Sequence, residues 1–538
     1  MKNRVLLLAV VVLDISAAFT QQSSQRAVRK FTASGRVVNA LTGEALRNAS
    51  VQLVPTTDRA KPLDANIGLD GSFEFHGLEP GKYSLVGQAR NFPRQAFEEH
   101  DNFNTAIAVG PDKISTGIIF RLRPEGSISG RILDEHNEPV REAQVLLFQR
   151  STDSGKRLIE HRSQVNSDDE GEYHFNHLRP GMYYAVVAAQ PWYRRYLQVN
   201  MRRRNSSAAA ADLDPALDVA YPITYYPGAT DVDNAGALIV HPGDRLSADF
   251  ELAPVPSLHV TMVNIGGETG RVMPNLRARV FGDSSVFAQV MTTGRQNEME
   301  MSGIAPGNYS LTVMHRDGTE SRMSSQEISL SADTQLDATA VATVEQIHGR
   351  IKYDGATPPS NAFLQFRDAN AQGEMGTRPD EHGEFKLQPP HAGRYVVSLG
   401  NSSGYAIRTL SATGARVSGR TLEFTGAEPV ELTIEASEGV GQIDGTVMNS
   451  DEPVSGTMVV LAPQDIADNA SLFRRDQSDS DGTFTLHDVV PGHYTAIAIQ
   501  NGWDMEWASP EALRPYLAKG TSVVINGKEK LEIKVAAQ

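Results

Sequence analysis

The chain has 538 residues, 40% apolar and 21% charged, with 45 glycines, 28 prolines and a net charge of −15. A single core stops growing at about 250–300 residues, and about 150 residues per domain gives three to four domains. The composition excludes a disordered or collagenous chain, and the acidic balance disfavours nucleic acid and anionic lipid as partners. Cysteine is absent. Disulfide scaffolds, thiolate metal sites, cysteine nucleophiles and cysteine-borne lipid anchors are excluded together.

At the N-terminus, Lys2 and Arg4 precede an apolar run from Val5 to Leu13, followed by Ser16, Ala17 and Ala18. Basic, apolar and small residues in that order read as a secretory signal peptide over residues 1–20. The run is shorter than the roughly 20 apolar residues of a spanning helix. No later stretch is long and apolar enough, so the mature chain is expected to be periplasmic or secreted, without a membrane span.

Beyond it, short alternating runs dominate, which is the strand signal. One pattern recurs: an alternating strand, a turn, then Gly-x-Tyr. Ser72-Phe73-Glu74-Phe75-His76 precedes Pro80-Gly81-Lys82-Tyr83, and Glu172-Tyr173-His174-Phe175-Asn176 precedes Pro180-Gly181-Met182-Tyr183. Glu298-Met299-Glu300-Met301-Ser302 precedes Pro306-Gly307-Asn308-Tyr309. Glu384-Phe385-Lys386-Leu387-Gln388 precedes Ala392-Gly393-Arg394-Tyr395, and Thr483-Phe484-Thr485-Leu486-His487 precedes Pro491-Gly492-His493-Tyr494. Each Tyr starts a returning strand, with its ring in the core and its hydroxyl capping nearby backbone.

Four copies open on a glycine-containing strand, at Gly35, Gly130, Gly349 and Gly445. The third copy lacks that glycine and has no Asp-Gly turn before Met299. Each copy closes on an alternating strand such as Ile118 to Leu122 or Leu531 to Val535. Helix is expected only in short pieces, chiefly Pro510 to Ala518, with Ser509 as N-cap and Pro510 at the first position.

The order from opening glycine strand to Gly-x-Tyr resembles carboxypeptidase regulatory-like domains. The resemblance implies small transthyretin-like β-sandwiches, a carbohydrate-binding-like fold related to starch-binding modules. The expected fold class is all-β: a tandem array of about five small transthyretin-like antiparallel β-sandwich domains after the signal peptide. Their expected bounds are residues 28–124, 125–254 with an Arg- and aromatic-rich insertion, 255–342 (degenerate), 343–437 and 438–538.

Three spellings of catalytic or metal motifs read better as turns. His76-Gly77-Leu78-Glu79 spells His-x-x-Glu, but the Glu79 slot holds Arg179, Ala305 and Val490 in other copies. Gly400-Asn401-Ser402-Ser403-Gly404 spells a nucleophile elbow, but an alternating strand follows where a helix is required, so a hairpin loop is expected. Asp479-Ser480-Asp481-Gly482 resembles half a calcium loop, yet it occupies the site of an ordinary turn in other copies. No metal, no cofactor and no enzymatic activity are expected.

Eleven residues after the glycine of Gly-x-Tyr, three copies carry an aromatic: Phe92, Trp192 and Trp503. All three tryptophans lie in these loops, counting Trp507. Residues 181–211 hold five arginines and no acid. Trp192, Tyr193, Arg194, Arg195, Trp503 and Trp507 are therefore the candidate ligand-binding residues, because aromatics beside arginine suit sugar or peptide recognition. The alternative is that these rings pack between neighbouring repeats. The expected function is a non-catalytic exported protein binding carbohydrate or protein at the cell envelope. The alternative is an accessory or rod-like spacer for an exported peptidase or transport system.

Overall fold

A computed structural model describes residues 30–538 apart from 59–60, 66, 194–216, 268–269, 288–290, 296, 318–319, 341–343, 355–360, 370–373, 402–403 and 467–468. The expected signal peptide, Arg194 and Arg195 lie outside the described residues. The fold is all-β, built from facing small sheets.

The opening strand of each repeat sits inside one sheet, with the same partners each time. Phe31–Asn39 pairs antiparallel with Ser72–Leu78 and parallel with Ile118–Leu122. Gly441–Asn449 does the same with Thr483–Val489 and Lys530–Ala536. The closing strand thus runs parallel to the opening strand, whose other neighbour is antiparallel. The opening and closing strands are separated by the whole repeat, so no tight hairpin constrains their relative direction. The second sheet carries the Gly-x-Tyr strand: in the first repeat Gly81–Ala89 lies between Ser50–Pro55 and Phe92–Ala96. Phe73, Phe75, Val51 and Leu85 then meet in one buried cluster.

The opening glycine is required by close approach. A Cβ on Gly35 would stand 2.1 Å from the Ile118 carbonyl oxygen, and one on Gly445 would stand 2.2 Å from Cζ of Phe484. The glycine thus makes room for the closing strand and for the ring on the neighbouring strand. The third repeat solves the same problem differently. Met262 lies opposite Met299, the residue in the ring's place. A pair of flexible thioether side chains replaces a glycine under a ring.

All five Gly-x-Tyr hydroxyls donate to the carbonyl four residues upstream. Tyr83 reaches Glu79 at 2.9 Å, Tyr183 reaches Arg179 at 2.8 Å and Tyr309 reaches Ala305 at 2.6 Å. Tyr395 reaches His391 at 2.8 Å and Tyr494 reaches Val490 at 2.6 Å. All five residues are buried. The helix Pro510–Leu517 begins as expected, with Ser509 Oγ accepting from the Ala512 amide.

The second and third repeats share a core in which Phe281 packs against Phe148, Tyr184 and Tyr225. Beside this junction His259 lies between two carboxylates, 2.7 Å from Asp218 Oδ2 and 2.6 Å from Glu300 Oε1. Burial works against a charged ring, but hydrogen bonds and attraction from Asp218 and Glu300 outweigh it and raise the pKa above the ordinary histidine value. A raised folded-state pKa stabilises fully below the unfolded value of 6.5, and the contribution is lost as pH rises through the folded value. Melting temperatures of the wild type and His259→Gln, measured from pH 5 to 9, should therefore differ most at low pH and converge at high pH.

The fifth repeat returns to the first two instead of extending the line. Its residues 475 and 477–481 hydrogen-bond or ion-pair with the first repeat, and Glu506 to Ala508 hydrogen-bond with the second.

Candidate functional site

The aromatic loops share a position in the repeat but have different surroundings. Trp503 lies on the short turn Gly502–Asp504 and is 8% exposed. Its indole stacks on His100 with centroids 4.7 Å apart and planes 5° from parallel, and its Nε1 donates to the Gly456 carbonyl at 3.4 Å. The Arg475 guanidinium stands 5.6 Å from its ring centre, 4.7 Å from that of Trp507 and 4.8 Å from that of Phe103. Trp507 Nε1 donates to the Thr152 carbonyl at 2.9 Å. Trp503 and Trp507 thus sit where the first, second and fifth repeats meet, around a cation held by three rings.

Arg475 also pairs with Asp101 at 3.0 Å, and its side chain is 6% exposed. Burial pushes the Asp101 carboxyl up; Arg475 opposes that and nearby Asp153 adds to it. Beside this node the contact is polar and centres on buried Gln477 and Thr105. Gln477 Nε2 donates to Glu98 O at 2.7 Å and to Thr105 Oγ1 at 2.8 Å, while its Oε1 lies 3.1 Å from His100 Nδ1. Burial raises the carboxyl of neighbouring Asp476 to about 6, although the Thr485 and Gln477 amides lower it.

The calcium-like spelling at Asp479–Gly482 forms a clasp. Asp479 Oδ1 accepts from the Ala106 amide at 2.9 Å, and its Oδ2 pairs with Lys82 at 2.5 Å. Ser480 Oγ accepts from the Ala108 amide at 2.9 Å, and Asp481 pairs with Lys113 at 2.7 Å. These oxygens are engaged by the first repeat. Sequence reasoning read this segment as a turn, which it is, and missed the docking.

Trp192 contrasts with Trp503: it is 66% exposed, with the Tyr193 ring edge-on at 5.8 Å. Phe92 is half-buried at the start of the strand Phe92–Ala96, between two clefts.

The other candidate motifs dissolve into local structure. His76 pairs with Glu74 at 3.4 Å, whereas Glu79 pairs with Lys30 at 3.2 Å, so the two halves of His-x-x-Glu are separately engaged. The Gly400–Gly404 loop is not a hairpin. Gly393–Gly400 pairs with Phe363–Asp368, whereas Tyr405–Thr413 pairs with Val430–Glu438 in a different sheet. The loop crosses the sandwich, and a strand follows it rather than a helix. Ser402 and Ser403 lie outside the described residues. Asp134, Glu135 and His136 bring potential ligand atoms together. Asp134 Oδ1 already accepts from the His136 and Glu138 amides at 2.8 Å each, and Glu135 accepts from Tyr221 Oη at 2.8 Å.

Residues 127–213 match the family model described as carboxypeptidase regulatory-like domain. No curated protein matches the chain. Among solved structures, the Bacillus anthracis TIE protein aligns at 11% identity over 95% of this chain and 69% of its own, with a TM-score of 0.17. A streptococcal ancillary pilin aligns at 10% identity over 57% of this chain and 98% of its own, with a TM-score of 0.19. GBS52, a minor pilin of Streptococcus agalactiae, aligns at 10% identity over 42% and 97%, with a TM-score of 0.20. Overlaps at these scores carry no argument about function. No helix among the described residues is long and apolar enough to cross a membrane.

Proposed function

We propose that the chain is a non-catalytic exported protein of five β-sandwich domains, with the bounds given above, that binds carbohydrate or protein at the cell envelope. The export part rests on the basic, apolar and small order of Lys2 to Ala18. The observation that carries binding is the exposure of Trp192. The equivalent ring in the fifth repeat is buried against His100, while this one presents its indole to solvent, 66% exposed. Large exposed aromatics suit stacking on a sugar ring or anchoring in a partner's pocket. Arg194 and Arg195, next along the chain, would supply forked donors to acceptor groups beside the stacked ring.

A rod-like spacer needs an extended array, and the return of the fifth repeat to the first and second gives that alternative no support. Titration with a glycan panel and with envelope proteins tests the binding reading. Trp192→Ala should weaken the bound ligand about tenfold or more, as at interface anchors, and leave the melting temperature unchanged. A lowered melting temperature with unaltered binding would make Trp192 a packing residue. Turnover of a peptide or ester substrate would overturn the non-catalytic part.

A further inference from the structure

Two clefts of about 430 and 440 Å³ open beside Phe92, and Asn91, Phe92 and Glu125 line both. Each lies within the range of small-ligand sites, about 300–1,000 Å³. The wall between them is held in place by both repeats. The Glu125 amide donates to Asn91 O at 3.2 Å, and the Glu125 carboxylate lies 2.6 Å from His177 Nδ1 of the second repeat. Arg179 and Glu99, paired at 2.8 Å, tie the same two repeats together nearby.

The chemistry lining the clefts is of three kinds. Arg90 and Arg94 line the first and Arg245 the second. Arg90 and Arg245 make no side-chain hydrogen bond or ion pair among the described residues, while Arg94 engages the neutral amide of Gln52 at 3.0 Å. Among the described residues, Glu125 is the one carboxylate in either lining, so this locale is cationic in a chain of net charge −15. The side-chain amides of Asn48, Gln88 and Asn176 also line the clefts without an internal hydrogen bond among the described residues. Phe92 supplies a half-buried apolar ring between them.

We propose that the Phe92 clefts bind an acidic oligosaccharide. Guanidinium forks match a sugar carboxylate with two parallel hydrogen bonds. Side-chain amides offer a donor and an acceptor to neighbouring hydroxyls. The Phe92 ring is a platform for the C–H face of a pyranose. At the equivalent position of the fifth repeat the protein fills this role itself, with His100 and Arg475 against Trp503. Among the described residues, no ring or guanidinium stacks on Phe92 in the first repeat. This site is separate from Trp192 and does not depend on the Trp192 reading.

The test is calorimetric titration of the full chain with tetragalacturonate, with cellotetraose as the neutral counterpart and hexaglutamate as an acidic peptide. Tetragalacturonate should bind, weaken as salt rises, and exceed both other probes about tenfold or more. Phe92→Ala, and the double variant Arg90→Ala with Arg245→Ala, should each lower that affinity about tenfold. Trp192→Ala should leave it unchanged. The double variant removes side chains without internal partners, so it remains informative if Phe92→Ala unfolds. No binding of tetragalacturonate, equal binding of cellotetraose, tighter binding of hexaglutamate, or affinity unchanged in the double variant would overturn the proposal.

Discussion

Trp503→Ala is expected to destabilise the fifth repeat by about 3–5 kcal/mol, the usual range for deleting a buried large aromatic. The indole packs in a cluster with Met458, Val460, Ile497 and Leu513, each fully buried. Its loss also removes the surface on which His100 stacks and one ring of the three around Arg475. Arg475 would then keep a buried charge with less around it, and burial without compensation is costly. Two readouts should move together. The melting transition should fall, and small-angle scattering should report a larger radius of gyration as the first repeat loosens from the fifth. An unchanged melting transition would show that the stack is incidental.

The second large effect concerns the tyrosine corners. Tyr494 is 3% exposed and its hydroxyl donates to Val490 O at 2.6 Å. Tyr494→Ala removes the ring and should cost about 3–5 kcal/mol. Tyr494→Phe keeps the ring and removes only the hydrogen bond, leaving a buried carbonyl without its donor, at about 1–3 kcal/mol. Denaturant unfolding of both variants separates the two contributions. Equal losses would mean that the hydroxyl, not the ring, holds the turn.

The tyrosine corners were legible in the sequence because their hydrogen bond spans four residues and their burial follows from strand alternation. The opening glycines were legible for a similar reason: each lies in a local strand pattern that repeats. The Met262–Met299 pair was not. It occupies the same register position with both residue types changed, so nothing in the local pattern marks it. The clasp was less legible still. Thr105, Gln477 and Ser480 are ordinary polar residues of turns and strand ends, and their meaning depends on partners more than 370 positions away. Among the aromatic loops, residue type marked all three equally. Only the path of the fifth repeat decides which ring is covered.

That path also imposes a timetable. The first repeat can close on its own local contacts early in synthesis, but its clasp partners are 368 to 379 residues further along the chain. At elongation rates of about 5–20 residues per second, the wait is roughly 20–75 s. Throughout it, the edge carrying Ala106 and Ala108 has free amides, and His100 and Phe103 have no indole to meet. A neighbouring nascent chain that has already completed residues 474–508 offers the same surface. Closure within one molecule and exchange between two therefore compete, and crowding of nascent chains shifts the balance towards exchange.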